Sequence, residues 1–184
     1  AALAPIENTS LKTPAWKHAR GRVLWLRFLM ISATFTGLVI NGFEGQLSTF
    51  LYSFTPLLMG TAGNCGSQAS TTVIRALALD QISTKDFFKV SMKEGLISLI
   101  CSSVLAVANA VRVILMYWWT AYNIDYLVLK VSLVLAIALI LIIFIAQVLG
   151  SLLPIIAKKI HVDPALMSAH VISTIMDTLS ILIY

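Results

Sequence analysis

Long apolar runs alternate with short polar stretches along the whole chain. The runs extend from about Trp25 to Phe43, from Thr49 to Leu79, from Gly95 to Met116, and from Leu127 to Leu153, where Pro154 stops the fourth. The fifth begins after Asp163-Pro164 and reaches Tyr184. Each run is longer than a strand, and none shows the strict alternation of a barrel strand, so five helices are predicted. About 20 mostly apolar residues suffice to carry a helix across the hydrocarbon of a bilayer. The pattern therefore predicts an all-α integral membrane protein, with a polar segment over residues 1–22 and a five-helix unit over residues 23–184.

Between the second and third runs lies "STKDFFKVSMKEG". Ser83 or Thr84 followed by Asp86 has the form of a helix start, and Phe87, Phe88 and Met92 fall on one face. This predicts a short amphipathic helix lying in the membrane interface.

Composition supports the membrane reading. Hydrophobic residues make up 59% of the 184 and charged residues only 11%, against about 45–50% and about 25% in soluble domains. The first twenty residues carry two prolines and several charges without an apolar core, so no secretory signal is expected there. The net charge is +5, and its distribution points to topology rather than to nucleic acid. Lys12, Lys17, Arg20, Arg22 and Arg27 lie at the first run. Arg75, Lys85, Lys89 and Lys93 separate the second and third. Lys158 and Lys159 separate the fourth and fifth. The positive-inside rule then places the N-terminus in the cytoplasm and the C-terminus outside a multi-pass plasma-membrane protein. Arg112 and Lys130 fall near the outer ends of their runs, where long side chains snorkel. Tyr117, Trp118, Trp119, Tyr122 and Tyr126 fit an outer aromatic belt. Cys65 and Cys101 both lie in apolar segments and suggest neither a disulfide framework nor a four-ligand metal site.

Two runs carry polar faces. In the second, Asn64, Gln68, Thr71 and Arg75 recur at i, i+4, i+7 and i+11, one side of a helix. Gly60, Gly63 and Ser67, with Ser70 and Thr71, form a small-residue stripe beside them, and Pro56 is expected to loosen the outer half of the helix. In the fifth run Asp163, His170, Ser173 or Thr174, Asp177 and Ser180 recur at helical spacing. Asp177 lies about twelve residues in, roughly 18 Å along the axis, near the middle of a hydrocarbon layer of about 30 Å. A carboxylate there costs at least about 2.5–3.5 kcal/mol to insert and by default marks an ion path. Blander readings exist: small-residue stripes with amides also serve helix packing, Asp163 before Pro164 makes a good N-cap, and His170 suits a packed position. Oxygen donors favour hard cations such as Mg²⁺, Ca²⁺ or Mn²⁺. One mid-membrane carboxylate per chain is too few for a dehydrated cage, whereas Mg²⁺ is usually held through one or two carboxylates with waters retained. A pore around hydrated Mg²⁺, lined by Asp177 from two subunits, fits that chemistry.

"PLLMGTAGNCGSQASTTVIRALAL" (Pro56 to Leu79) resembles the signature of the MgtE family of magnesium channels, and "VDPALMSAHVISTIMDTLSILIY" (Val162 to Tyr184) resembles its fifth transmembrane helix. "APIENTSLKTPAWK" is similar to the family's linker between cytosolic CBS domains and the first span. The resemblance implies a homodimer with the pore between subunits, lined by the second and fifth helices. It implies that Asp177 binds Mg²⁺, that backbone carbonyls near Ser173 hold the ion's waters, and that Asp163 stands at the cytoplasmic pore mouth. Gly60, Gly63, Asn64, Ser67, Gln68, Thr71, His170 and Thr174 would line the pore. The CBS regulatory domains have no counterpart within these 184 residues. Ala62 stands where the family usually has glycine, Ala169-His170 where it often has Gly or Asn followed by Pro, and Ser180 where it often has glycine.

The alternative to a Mg²⁺ channel is a divalent cation transporter of other selectivity (Mn²⁺, Ca²⁺ or Co²⁺), or one coupled to Na⁺ or H⁺. A structural or assembly subunit would show no flux alone. His161, Asp163, His170 and Asp177 do not make a hydrolase: no His-Glu-x-x-His helix, aspartate pair or activated serine is present. The chain is not expected to be an enzyme.

Overall fold

The computed structural model describes residues 14–43, 52–121, 126–161, 164 and 169–184. Among the described residues the chain is all-helical, with no strand. Five long helices are described, in chain order: α1 (Ala15–Phe43), α2 (Thr55–Ala78), α3 (Phe87–Ala121), α4 (Tyr126–Lys159) and α5 (Ala169–Ile183), with a 3₁₀ turn (Thr84–Asp86) just before α3. They correspond in order to the five apolar runs.

Three local expectations are corrected. Pro56 does not loosen α2; it occupies the first turn of the helix, where its missing N–H has no intrahelical partner to lose and its fixed φ suits the start. Pro154 does not stop α4, which continues to Lys159 with Pro154 buried inside it. Helix-breaking residues are tolerated where neighbouring helices support the freed backbone. The interfacial helix does not form separately either. Asp86 caps the 3₁₀ turn by accepting from the Ser83 N–H at 2.9 Å and the Ser83 hydroxyl at 2.8 Å. Phe87 onwards is then the beginning of the 35-residue α3, about 52 Å long.

α4 is the hub. Its buried positions include Val128, Val131, Leu135, Leu139, Ile142, Ala146, Gly150 and Ile155, recurring at three, four or more residues along the helix, and both α2 and α3 pack against it. α5 packs chiefly on α2, and α1 lies mainly against α5. Leu58, Ala62 and Cys65 of α2, Val113 of α3, and Ile172 and Met176 of α5 close the core around α4.

The helix senses can be read from contacts at the ends. Arg112, late in α3, sits over the Phe54 ring at the start of α2, 5.9 Å from its centroid. Lys158 at the end of α4 donates to the Leu77 carbonyl at the end of α2, 3.2 Å away. So α3 runs opposite to α2, and α4 runs with it. Where α2 crosses α4, Gly66 meets Gly150 so closely that a Cβ on Gly150 would collide with the Gly66 backbone. This close approach requires glycine at 150, while a Cβ on Gly66 would press on Ile172 of α5 and on the Ala146 carbonyl of α4.

Among the described residues two helices are long and apolar enough to cross a membrane by length and composition: α3 with its preceding turn, Thr84–Trp119, and α4, Tyr126–Lys159. In α1 and α5 the apolar stretches are shorter, Leu29–Gly42 and Val171–Ile183. α2 carries the Gly-Asn-x-Gly-x-Gln segment that dilutes its apolar content.

Candidate functional site

α5 is amphipathic in its packing. Ile172, Met176 and Ile181 are buried, while Ile175 and Leu182 remain exposed. Asp177 lies past the middle of this 15-residue helix and is half-buried. Among the described residues it has no ion-pair partner. Arg112 is committed elsewhere, donating through Nε at 3.2 Å and Nη2 at 2.9 Å to Asn109 Oδ1. Lys130 lies over the Tyr126 ring at 4.6 Å.

One turn before Asp177, Ser173 faces α2. A Cβ on Gly63 would stand 2.8 Å from Ser173 Oγ and 3.5 Å from its Cβ. One turn further along α2, Ser67 donates its hydroxyl to the Gly63 carbonyl at 2.6 Å. One residue after Asp177, Thr178 Oγ1 lies 2.7 Å from Thr36 Oγ1 of α1. The carboxylate is thus bracketed by a contact with α2 on the Ser173 side and a hydrogen bond to α1 on the Thr178 side.

The predicted row on α2 is a real face. Gly60, Asn64, Gln68, Thr71 and Arg75 are all exposed in the single chain, and nothing approaches the position of a Cβ on Gly60 within 4 Å. Asn64 and Gln68 lie on it free of side-chain hydrogen bonds to described residues. Thr71 donates to the Ser67 carbonyl at 2.8 Å and Thr72 to the Gln68 carbonyl at 2.9 Å, so these hydroxyls are satisfied by their own helix. Ser67 and Thr174 are half-buried. Gly63 stands apart from this row: it is buried, and its open side is filled by Ser173. Asp163 and the His170 side chain lie outside the described residues.

Thr36 is a functional candidate that the sequence does not single out. It is a buried hydroxyl on a largely apolar stretch of α1. Thr34, two residues earlier, is exposed and bonds its own helix at Met30. A threonine two residues from another is the only signal, and it does not say which of the two faces a partner. Gly150 escapes notice for the same reason, since its partner Gly66 is 84 positions away in sequence.

Chemically the site offers one carboxylate, hydroxyls, amides and backbone carbonyls. Among the described residues no three His, Cys, Asp or Glu side chains come together. Such a donor set suits a hard cation that keeps much of its water, contacted through carboxylate and carbonyl oxygens.

The divalent cation transporter family MgtE matches residues 55–184, which takes in α2 to α5 and every site residue named above except Thr36. Similar curated proteins are the magnesium transporter MgtE of Thermus thermophilus, 34% identical over 165 residues, covering 89% of this chain and 34% of that protein. That of Bacillus subtilis is 31% identical over 180 residues, covering 97% and 38%. That of Enterococcus faecalis is 29% identical over 184 residues, covering 99% and 39%. The chain thus spans little more than a third of the length of these relatives. With the family matching α2 to α5 and relatives 34% and 31% identical over 89% and 97% of the chain, this chain belongs to the MgtE family of divalent cation transporters.

Proposed function

We propose that the chain forms the membrane pore of a Mg²⁺ channel. Two copies would bring their α2 and α5 helices together, with the N-terminus cytoplasmic and the C-terminus outside. Asp177 from each subunit would hold a largely hydrated Mg²⁺, and carbonyls near Ser173 would receive its waters. Asp163 would stand at the cytoplasmic mouth, and Gly60, Asn64, Ser67, Gln68, Thr71, His170 and Thr174 would line the path.

The observation that carries this reading is the placing of Asp177. It sits one turn from the contact between α5 and α2, and α2 leaves a row of amides and hydroxyls uncovered by its own chain. Exposed amides in lipid are costly; a second subunit and a water-filled path remove that cost. An inside-negative potential would drive entry without a second ion. The names of the relatives favour Mg²⁺ as the transported ion.

The test is Mg²⁺ flux in proteoliposomes under an imposed potential, with Mn²⁺ and Ca²⁺ as competitors. Asp177→Asn should reduce flux at least tenfold. Flux equal to wild type would remove Asp177 from the ion path, and flux that required a Na⁺ or H⁺ gradient would replace the channel with a coupled transporter.

A further inference from the structure

We propose that Thr36 is a positioning residue for the Asp177 carboxylate, acting from α1 through Thr178; the proposal rests on the reading of Asp177 as the ion-binding group. Thr36 is the one buried position among the described side chains of α1, 6% exposed. Leu29, Ser32, Val39 and Ile40, at helical spacing around it, are half-buried. Together they form the stripe by which α1 meets the rest of the chain, and α5 is the main helix they meet.

The hydrogen bonds give the stripe a direction. Thr178 Oγ1 reaches the Thr174 carbonyl of its own helix at 3.4 Å, a long and weak contact. When Thr178 donates there, its oxygen accepts from Thr36 at 2.7 Å, the usual length of a strong hydroxyl bond. A chain of two hydroxyls then pins the turn from Thr174 to Thr178, and Asp177 is carried on that turn. Hydroxyl chains of this kind polarise one another. In an apolar surrounding no water replaces the lost partner, so removal of Thr36 Oγ1 leaves Thr178 with the weak contact alone. The turn that carries the carboxylate then loses its hydrogen-bonded tie to α1 and is held only by its packing on α2 and α4. Thr36 touches neither ion nor water in this scheme. It sets where α5 holds the charge, and through it any shift of α1 reaches the site.

The experiment compares Thr36→Val, Thr36→Ser and Thr178→Val, singly and with Thr36→Val/Thr178→Val, for concentration-dependent Mg²⁺ flux in proteoliposomes. Mg²⁺-dependent thermal stabilisation of each purified protein is measured alongside. Valine keeps the shape of threonine and its apolar character favours insertion, so the apo melting temperature should stay near wild type. Loss of one positioned hydrogen bond should raise the half-saturating Mg²⁺ concentration about three- to tenfold. Thr36→Ser should restore it, and the double variant should be no worse than either single one. Wild-type Mg²⁺ dependence in Thr36→Val, equal impairment in Thr36→Ser, or additive effects in the double variant would each overturn the proposal. Asp177→Asn, run in parallel, separates the two ideas. If it conducts normally, the ion-binding reading fails first; if it does not and Thr36→Val is silent in both flux and stabilisation, only the role of Thr36 fails.

Discussion

Gly63 and Ser173 are the point at which α2 and α5 touch within one turn of Asp177: a methyl group on Gly63 would lie 2.8 Å from the Ser173 hydroxyl oxygen. Two more glycines stand in the same region with less room. A Cβ on Gly66 would meet Ile172 Cγ2 at 2.6 Å and the Ala146 carbonyl at 3.1 Å, and one on Gly150 would run into Gly66 backbone. The obstacle at Gly63 is a hydroxyl that can rotate away, while at Gly150 it is main chain that cannot. Alanine substitutions should therefore rank by destabilisation as Gly63, then Gly66, then Gly150. The expected cost is under about 1 kcal/mol for the first and about 1–3 kcal/mol or more for the last. Melting temperatures of detergent-purified protein measure this order. A Gly150→Ala variant as stable as Gly63→Ala would mean that α2 and α4 do not cross at Gly66.

The same three glycines show what can be read before folding. The five helices follow from the lengths of the apolar runs, and Asp177 stands out because a lone carboxylate in an apolar helix is expensive. The exposed row Asn64, Gln68, Thr71 and Arg75 follows from its spacing. Spacing also groups Gly63 with that row, because periodicity identifies a stripe but not which neighbour covers each edge of it. Here α5 covers the Gly63 edge. The local effect of proline on a helix misleads at Pro56 and Pro154, where position decides: Pro56 sits where no bond is lost, and Pro154 is buried among packed helices. Thr36 and Thr178 are 142 residues apart, and nothing local to either predicts the pair.

At the start of α3, ahead of the apolar run that begins near Gly95, Asp86 accepts from both the backbone N–H and the hydroxyl of Ser83, with Lys89 Nζ 3.8 Å away. These hydrogen bonds, the backbone one foremost, hold its carboxyl below the usual range. A carboxyl lowered in the folded state contributes stability that is present above its ordinary value, about 3.9, and is lost as the pH falls through the lower folded value. The cap should hold unchanged from neutral pH down to about 4 and loosen only below that. Asp86→Ala should loosen it at every pH. Hydrogen exchange at residues 84–90, corrected for intrinsic rates, should rise several-fold in Asp86→Ala at pH 7 and leave the rest of α3 unchanged. Equal exchange in the two proteins would mean that the cap adds nothing to helix initiation.

Exposure in a single chain has two meanings in a membrane protein, and chemistry distinguishes them here. α3 exposes Leu96, Ile100, Val104 and Val107, as a lipid-facing surface should. α2 exposes Asn64, Gln68 and Thr71 instead. If those face a wet path, single cysteines at 64, 68 and 71 should react with a charged, membrane-impermeant thiol reagent, and Mg²⁺ should slow the reaction. Cysteines at 96, 100, 104 and 107 should stay unreactive. The background is a protein lacking Cys65 and Cys101, which are buried and half-buried; their replacement by alanine removes native thiols without disturbing an ion pair or disulfide. The contrast does not depend on flux, so it remains informative even where a variant conducts poorly. Reactive positions on α3, or unreactive positions throughout α2, would place the water on the wrong side of the bundle and would undo the assignment of α2 to the pore.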